Sequence, residues 1–180
     1  MNMRDTLFAI YSEAGAQAYF GESVTTLQHS LQTAHFARLA NASNALLLAA
    51  LLHDIGHLLD SAPSDLDDWA EDARHEESGS RWLARHFAPD VSEPVRLHVA
   101  AKRYLCAKET RYFEQLSAAS VRTLQLQGGP MSAAEMAVFE SQIHWRDAIR
   151  LRRWDDCGKV AELHTPPFAH YGELIDTLCR

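Results

Sequence analysis

The feature that most constrains this chain is the run LLLAALLHDIGHLL, from Leu46 to Leu59. Apolar runs of this kind belong in a core, yet this one carries His53, Asp54 and His57. A charge or imidazole without partners is costly in apolar surroundings. Metal coordination is the simplest way to satisfy all three. His53 and Asp54 are adjacent, and on a continuous helix adjacent side chains diverge by about 100°. Both reach one site only near a helix end, or where two cations share the carboxylate. The other candidate ligands are His29, His75, His98, Asp155 and Asp156, each on an expected helix or at its end.

Around this run the sequence reads as helix throughout. Helices are expected over residues 5–17, 24–41 and 43–59, the last capped by Ser43 or Asn44. Further helices are expected over 74–87, 92–106 (capped by Ser92), 112–127, 132–153 and 170–178. Residues 132–153 form the clearest of these, opened by Ser132 and Glu135 as a capping box. The 24–41 helix has two apolar stripes, which marks a central element. The expected fold is one all-α domain over 1–180, a length that supports a sizeable core.

The net charge of −7 argues against a nucleic-acid surface. The longest apolar run is too short to span a bilayer. Three scattered cysteines and an N-terminus without signal-peptide character point to a reducing, cytoplasmic setting. Ten histidines is the one abnormal count. Of these, His35, His86, His144, His164 and His170 have surface or supporting contexts.

The HDIGH string, with His29 upstream and an Asp near the C-terminus, resembles the signature of the HD-domain superfamily of helical metalloproteins. Most members are phosphohydrolases; one branch consists of mixed-valent di-iron oxygenases. Five segments resemble the phosphonate-cleaving part of that branch: LQHSL from Leu27, residues 49–57, HVAAKRYL from His98, LQGGPM from Leu126, and Trp154-Asp155 with Gly158-Lys159. Members of that group split 2-amino-1-hydroxyethylphosphonate into glycine and phosphate, or act on its N-trimethyl analogue to give glycine betaine.

The resemblance implies an HD-domain helical bundle with His29, His53, Asp54, His75, His98 and Asp155 as metal ligands and Asp54 as the bridge. Asp155 is preferred over Asp156 because the related oxygenases keep an Asp four residues before a Lys, here Lys159. It also implies two iron ions, Fe(II)/Fe(III), with O2 as co-substrate and an upstream hydroxylase as functional partner. The donor set alone would also accept manganese or zinc.

On the substrate side, Lys102 lies one turn after His98, so its ammonium can reach a ligand bound at the metal. Ser120, Thr123 and Gln127 share one helix face. Taken by themselves they fit a solvated face; the resemblance makes them phosphonate contacts, together with His57. It also implies that Tyr19 and Glu22 sense the substrate, closing the site when it is empty and meeting the amino group when it is filled. Trp69 and the acids between Asp65 and Asp72 could favour a quaternary ammonium, although a solvated acidic loop is the plainer reading. Two rivals stand beside the oxygenase: an HD phosphohydrolase acting on a small phosphate ester, and a non-catalytic HD module.

Overall fold

The computed structural model describes residues 2–59 and 75–180. The acidic stretch around Trp69 lies outside them. Among the described residues the chain forms ten α-helices and no strand; an isolated bridge pairs Ala18 with Thr25. No helix among them is long and apolar enough to cross a membrane.

The Leu46–Leu59 run is two helices, where the sequence suggested one. Helix α3 (Asn44–Leu52) is capped by Ser43, whose hydroxyl accepts from the Leu46 amide. The chain then turns through His53 and Asp54 before α4 (Ile55–Leu59). Leu48, Ala49, Ala50, Leu51 and Leu52 are all fully buried. Burying each leucine stabilises the fold by about 2 kcal/mol. Helix α3 packs against α2 (Thr26–Leu39), α6 (Pro89–Lys108) and α9 (Trp145–Cys157). A segment buried on all sides therefore ends in a turn whose two polar residues have nowhere to go but inward.

Helix α2 opens with a capping box between Thr25 and Gln28 and buries residues on more than one side, as its two stripes indicate. Helix α1 (Met3–Glu13) precedes it and stops before Gly15. Helix α5 (His75–Leu83) crosses α4 so closely that a Cβ on Gly56 would collide with the His75 carbonyl. Only glycine permits that approach, which brings His75 beside the HD turn.

Two other boundaries differ from expectation. Helix α6 begins at Pro89, with Ala88 rather than Ser92 as its cap, and runs 20 residues with Pro94 inside it. Pro89 acts as a start here, its fixed φ suiting a first helical position. The expected helix over 132–153 is broken: α8 (Ala133–Glu140) keeps the Ser132–Glu135 capping box, and α9 starts afresh at Trp145. Likewise α7 (Ala118–Leu126), capped by Ser117, is preceded by a separate 3₁₀ turn, Phe113–Gln115. Helix α10 (Gly172–Leu178) closes the chain against α1.

Candidate functional site

Six side chains from α2, the HD turn, α5, α6 and α9 meet at the end of α3. The His29 and His53 Nε2 atoms stand 3.1 Å apart, and those of His75 and His98 3.3 Å apart. The opposite nitrogens fix the tautomers. Nδ1 of His29 lies 2.8 Å from the Gly158 carbonyl, that of His53 3.0 Å from Ala50 O, and that of His98 2.6 Å from Val95 O. A carbonyl only accepts, so these three Nδ1 atoms carry the proton and the Nε2 atoms present lone pairs. His75 is held differently, with Nδ1 3.5 Å from the Glu76 carboxylate. Burial, then the neighbouring His75 and His53, hold His98 well below the usual imidazole range, so it is neutral and available as a ligand.

Asp54 joins the two pairs. Its Oδ2 is 3.3 Å from His53 Nε2 and 3.5 Å from His29 Nε2; its Oδ1 is 3.6 Å from His75 Nε2 and 3.7 Å from His98 Nε2. Each carboxylate oxygen thus serves one imidazole pair, giving two adjacent groups that could each hold a metal ion. Burial pushes the Asp54 carboxyl up, but His53, His57 and His75 more than offset that and hold it well below the ordinary range. Asp155 Oδ1 is 3.4 Å from His29 Nε2, is buried, and has no hydrogen-bond partner among the described residues.

These contacts pass the test for a dinuclear centre. Facing lone pairs at 3.1 and 3.3 Å repel one another unless a cation lies between the donors. The unpartnered Asp155 oxygen asks for the same thing. Four imidazoles that present Nε2 to one place, with two carboxylates beside them, are the donor set that divalent and trivalent transition metals take. The difficulty of adjacent His53 and Asp54 is resolved in both ways at once: the helix ends there, and the carboxylate spans both groups.

A cavity opens beside this cluster, lined on one side by Asp54, His57, His75 and His98 and on the other by Lys102, Ser120, Thr123, Gln127, Arg152 and Lys159. Lys102 Nζ donates to Thr123 Oγ1 at 2.8 Å. Its ammonium is buried, and burial followed by the Arg152 charge lowers its pKa to about 7. His57 stacks on His75, ring centroids 3.8 Å apart, and lies 4.0 Å from Asp54 Oδ1, at the edge of the donor cluster. Gln127 is the cap of α7, and its buried Oε1 has no partner among the described residues.

Tyr19 closes the cluster from the other side. It stacks on His29 at 3.9 Å and donates its hydroxyl to Asp54 Oδ2 at 2.9 Å. Burial, then the Asp54 and Asp155 charges, keep its phenol protonated. Glu22 sits near the cavity with Oε1 3.7 Å from Lys159 Nζ. The candidate ligands His29, His53, Asp54, His75, His98 and Asp155 and the candidate contacts Tyr19, His57, Lys102, Ser120, Thr123 and Gln127 thus lie around one cavity, with Glu22 beside it.

Two charged cavity residues escaped sequence reasoning as site members. Arg152 Nη1 pairs with Asp155 Oδ2 at 2.8 Å, and the guanidinium also bonds Asp156 and reaches Ser120 Oγ at 3.4 Å. Asp156, the rejected ligand candidate, is thus a partner of Arg152 and Tyr112. Lys159 Nζ donates to Ser120 Oγ at 3.0 Å. The available signal was spacing: Arg152 lies one turn before Asp155, on the same face of α9. Lys159 was used only to choose between the two aspartates.

The HD domain family profile matches residues 26–138. A hydroxymethylphosphonate dioxygenase from Gimesia maris is 46% identical over 96% of this chain and 86% of its own length. A [1-hydroxy-2-(trimethylamino)ethyl]phosphonate dioxygenase (glycine-betaine-forming) from Leisingera caerulea is 39% identical over 98% of this chain and 90% of its own length. With the matching profile, the carboxylate-bridged histidine cluster and two full-length relatives of this kind, the chain belongs to the HD-domain family, in the group that includes these phosphonate dioxygenases.

Proposed function

We propose that the protein is a di-iron oxygenase that uses O2 to cleave the carbon–phosphorus bond of a 1-hydroxyphosphonate, releasing phosphate and a carboxylate. One juxtaposition carries this reading: a carboxylate-bridged pair of histidine groups opens directly onto a cavity walled by an ammonium, a guanidinium and hydroxyl donors. His29, His53 and Asp155 would hold one iron, His75 and His98 the other, with Asp54 shared. Iron bound there supplies redox capacity and open positions for O2.

The chain's own residues bind and orient. Lys102 and Thr123, already joined at 2.8 Å, present an ammonium and a hydroxyl to the phosphonate dianion. Ser120, Gln127 and His57 complete its contacts and aim C1 at the metal cluster. Arg152 and Lys159, on the same cavity wall, hold the Ser120 hydroxyl. The Tyr19 hydroxyl occupies Asp54 Oδ2 in this structure; substrate entry would release it, with Glu22 moving alongside. In the net reaction the C1–P bond and a C1–H bond break. One oxygen atom ends in the carboxylate and the other on phosphate, so O2 takes up the four electrons and no external reductant enters.

The sequence resemblance points to (1R)-1-hydroxy-2-ammonioethylphosphonates, with a free or trimethylated amine. The Gimesia maris relative is named for a substrate without an amine. The hydroxyl and the phosphonate are common to both, and these are the parts the cavity's donors address. The hydroxyl would be installed by a separate hydroxylase. Three unpaired cysteines suit a cytoplasmic enzyme. Anaerobic iron loading followed by O2 should give phosphate and consumed O2 in equal amounts. Phosphate-ester hydrolysis without O2 uptake would instead establish the phosphohydrolase.

A further inference from the structure

Near its end, α9 reads Arg152-Arg153-Trp154-Asp155-Asp156. Adjacent side chains on a helix diverge by about 100°, so Asp155 faces the metal cluster and Asp156 cannot follow it. Arg152 lies one turn before both acids and touches each. Arg152 and Asp155 are buried, and so is Tyr112, which the chain beyond α6 brings to the same spot. A guanidinium presents its N–H donors in a fixed planar fork. One arm, Nη1, faces Asp155 Oδ2 at 2.8 Å. Asp156 clasps the other edge: Nη2 donates to its Oδ1, and Nε lies 3.3 Å from its Oδ2. Tyr112 donates its hydroxyl to that same Oδ2 and accepts from Arg152 Nε at 3.2 Å. A two-point clasp of this kind is the strong form of an arginine–carboxylate contact.

Asp155 is therefore divided. Its Oδ2 is engaged by Arg152. Its Oδ1 faces the His29 imidazole at 3.4 Å and has no hydrogen-bond partner among the described residues. Oδ1 is the atom left for a metal, so Asp155 is built to ligate through one oxygen. The negative charge on that oxygen depends on how strongly Arg152 draws on the other. Asp156 sets that draw. With Asp156 in the fork, much of the guanidinium's charge is compensated before it acts on Asp155. Without it, a buried cation would act on Asp155 alone, where charges are weakly screened.

We infer that Asp156 is a positioning residue for the metal centre: acting through Arg152, it keeps Asp155 a strong anionic donor and so favours the more oxidised state of the ion held there. Outer charges and hydrogen bonds tune a metal's potential in this way. Tyr112 keeps Asp156 in the fork. The inference rests on the di-iron reading of the same site, and gives the aspartate passed over as a ligand a task of its own.

The test is the midpoint potential for the first one-electron oxidation of the full chain, loaded anaerobically with iron and free of substrate, followed by electron paramagnetic resonance. Asp156→Asn keeps the shape of the clasp and removes its charge. Ferric affinity relative to ferrous should fall about tenfold, a rise in potential of about 59 mV. Arg152→Gln removes the cation and should lower the potential by about the same amount. Lost packing alone would not give shifts of opposite sign. Asp156→Glu keeps the carboxylate and should lie closer to the wild type than Asp156→Asn does. Tyr112→Phe leaves these charges in place and should shift the potential less than either charge-removing variant. Shifts in the same direction for Asp156→Asn and Arg152→Gln, or no shift in Asp156→Asn with iron bound as in the wild type, overturn the inference and leave the di-iron centre standing. Where one of the two does not fold, the sign of the other decides. A wild type that takes up no iron overturns the di-iron reading and this inference together.

Discussion

The two halves of the histidine cluster are built to different tolerances. His29 and His53 are fully buried, their Nδ1 atoms are held by main-chain carbonyls, and Tyr19 and Asp155 close over them. His98 and His75 border the cavity; among the described residues the Val95 carbonyl holds His98 Nδ1, and the Glu76 side chain stands 3.5 Å from His75 Nδ1. A backbone carbonyl is positioned by the helix that bears it, whereas a carboxylate on a side chain can rotate. The first half is therefore the more rigidly held, and the second is the half whose two imidazoles line the cavity.

Asp54 belongs to both halves, so its loss should erase the distinction. Asp54→Asn keeps the shape but removes the negative charge both pairs share. Bound iron should fall below about one per chain after anaerobic loading, with phosphate release down by about a thousandfold or more. Metal analysis beside a turnover assay reads both. If two irons stay bound, Asp54 does not bridge.

Single-histidine variants should then restore the asymmetry. His29→Ala strips a fully buried ring, strands the Gly158 carbonyl, and should cost the metal-free protein about 3 kcal/mol. His75→Ala removes a ring at the cavity edge and should cost about 1 kcal/mol. Denaturant melts of the two proteins compare them directly. Equal losses would mean that the halves are equally embedded.

Lys102, on the open half's helix, gives a pH signature. Its pKa falls from the ordinary lysine value to about 7, chiefly by burial. The unfolded chain therefore holds the extra proton between about pH 7 and 10.5, and metal-free stability should rise with pH across that window. Phosphonate binding wants the opposite, a charged ammonium. KM should climb by up to about tenfold per pH unit above 7. Lys102→Arg keeps its charge throughout and should flatten that limb. A limb that survives in Lys102→Arg belongs to another group.

Much of this was readable from residue types alone, for an identifiable reason. Metal ligands must be particular residue types, so HDIGH and the candidates His29, His75, His98, Asp155 and Asp156 stand out in a helical sequence, and only the family resemblance prefers Asp155. What the sequence concealed was geometry between segments. Nothing in LLLAALLHDIGHLL says that the helix stops at Leu52, because His53 and Asp54 leave it to reach the cluster and no proline or exposed glycine marks the break. The break between α8 and α9 is similarly silent, since residues 141–144 carry no strong helix breaker. Arg152 was invisible because an arginine beside two aspartates reads as an ordinary surface ion pair until burial shows otherwise.

The smallest expected effect is the sharpest test of the two-tolerance idea. Glu76 supports His75 through one contact of 3.5 Å, and its Oε2 has no hydrogen bond among the described residues. Glu76→Gln keeps an oxygen that can accept from the imidazole but removes its charge, making His75 a weaker donor to metal. An outer partner of this kind is worth about tenfold to a hundredfold in metal affinity. A contact this long should give less, roughly threefold to fivefold, and only for the ion on the open half. The two imidazoles of the buried half rest on main-chain carbonyls, so neither has a side-chain support among the described residues that could be changed in the same way. Stepwise iron titration should show one site weakened and the other unmoved. Weakening of both would mean that Asp54 couples the halves so strongly that neither is adjustable alone.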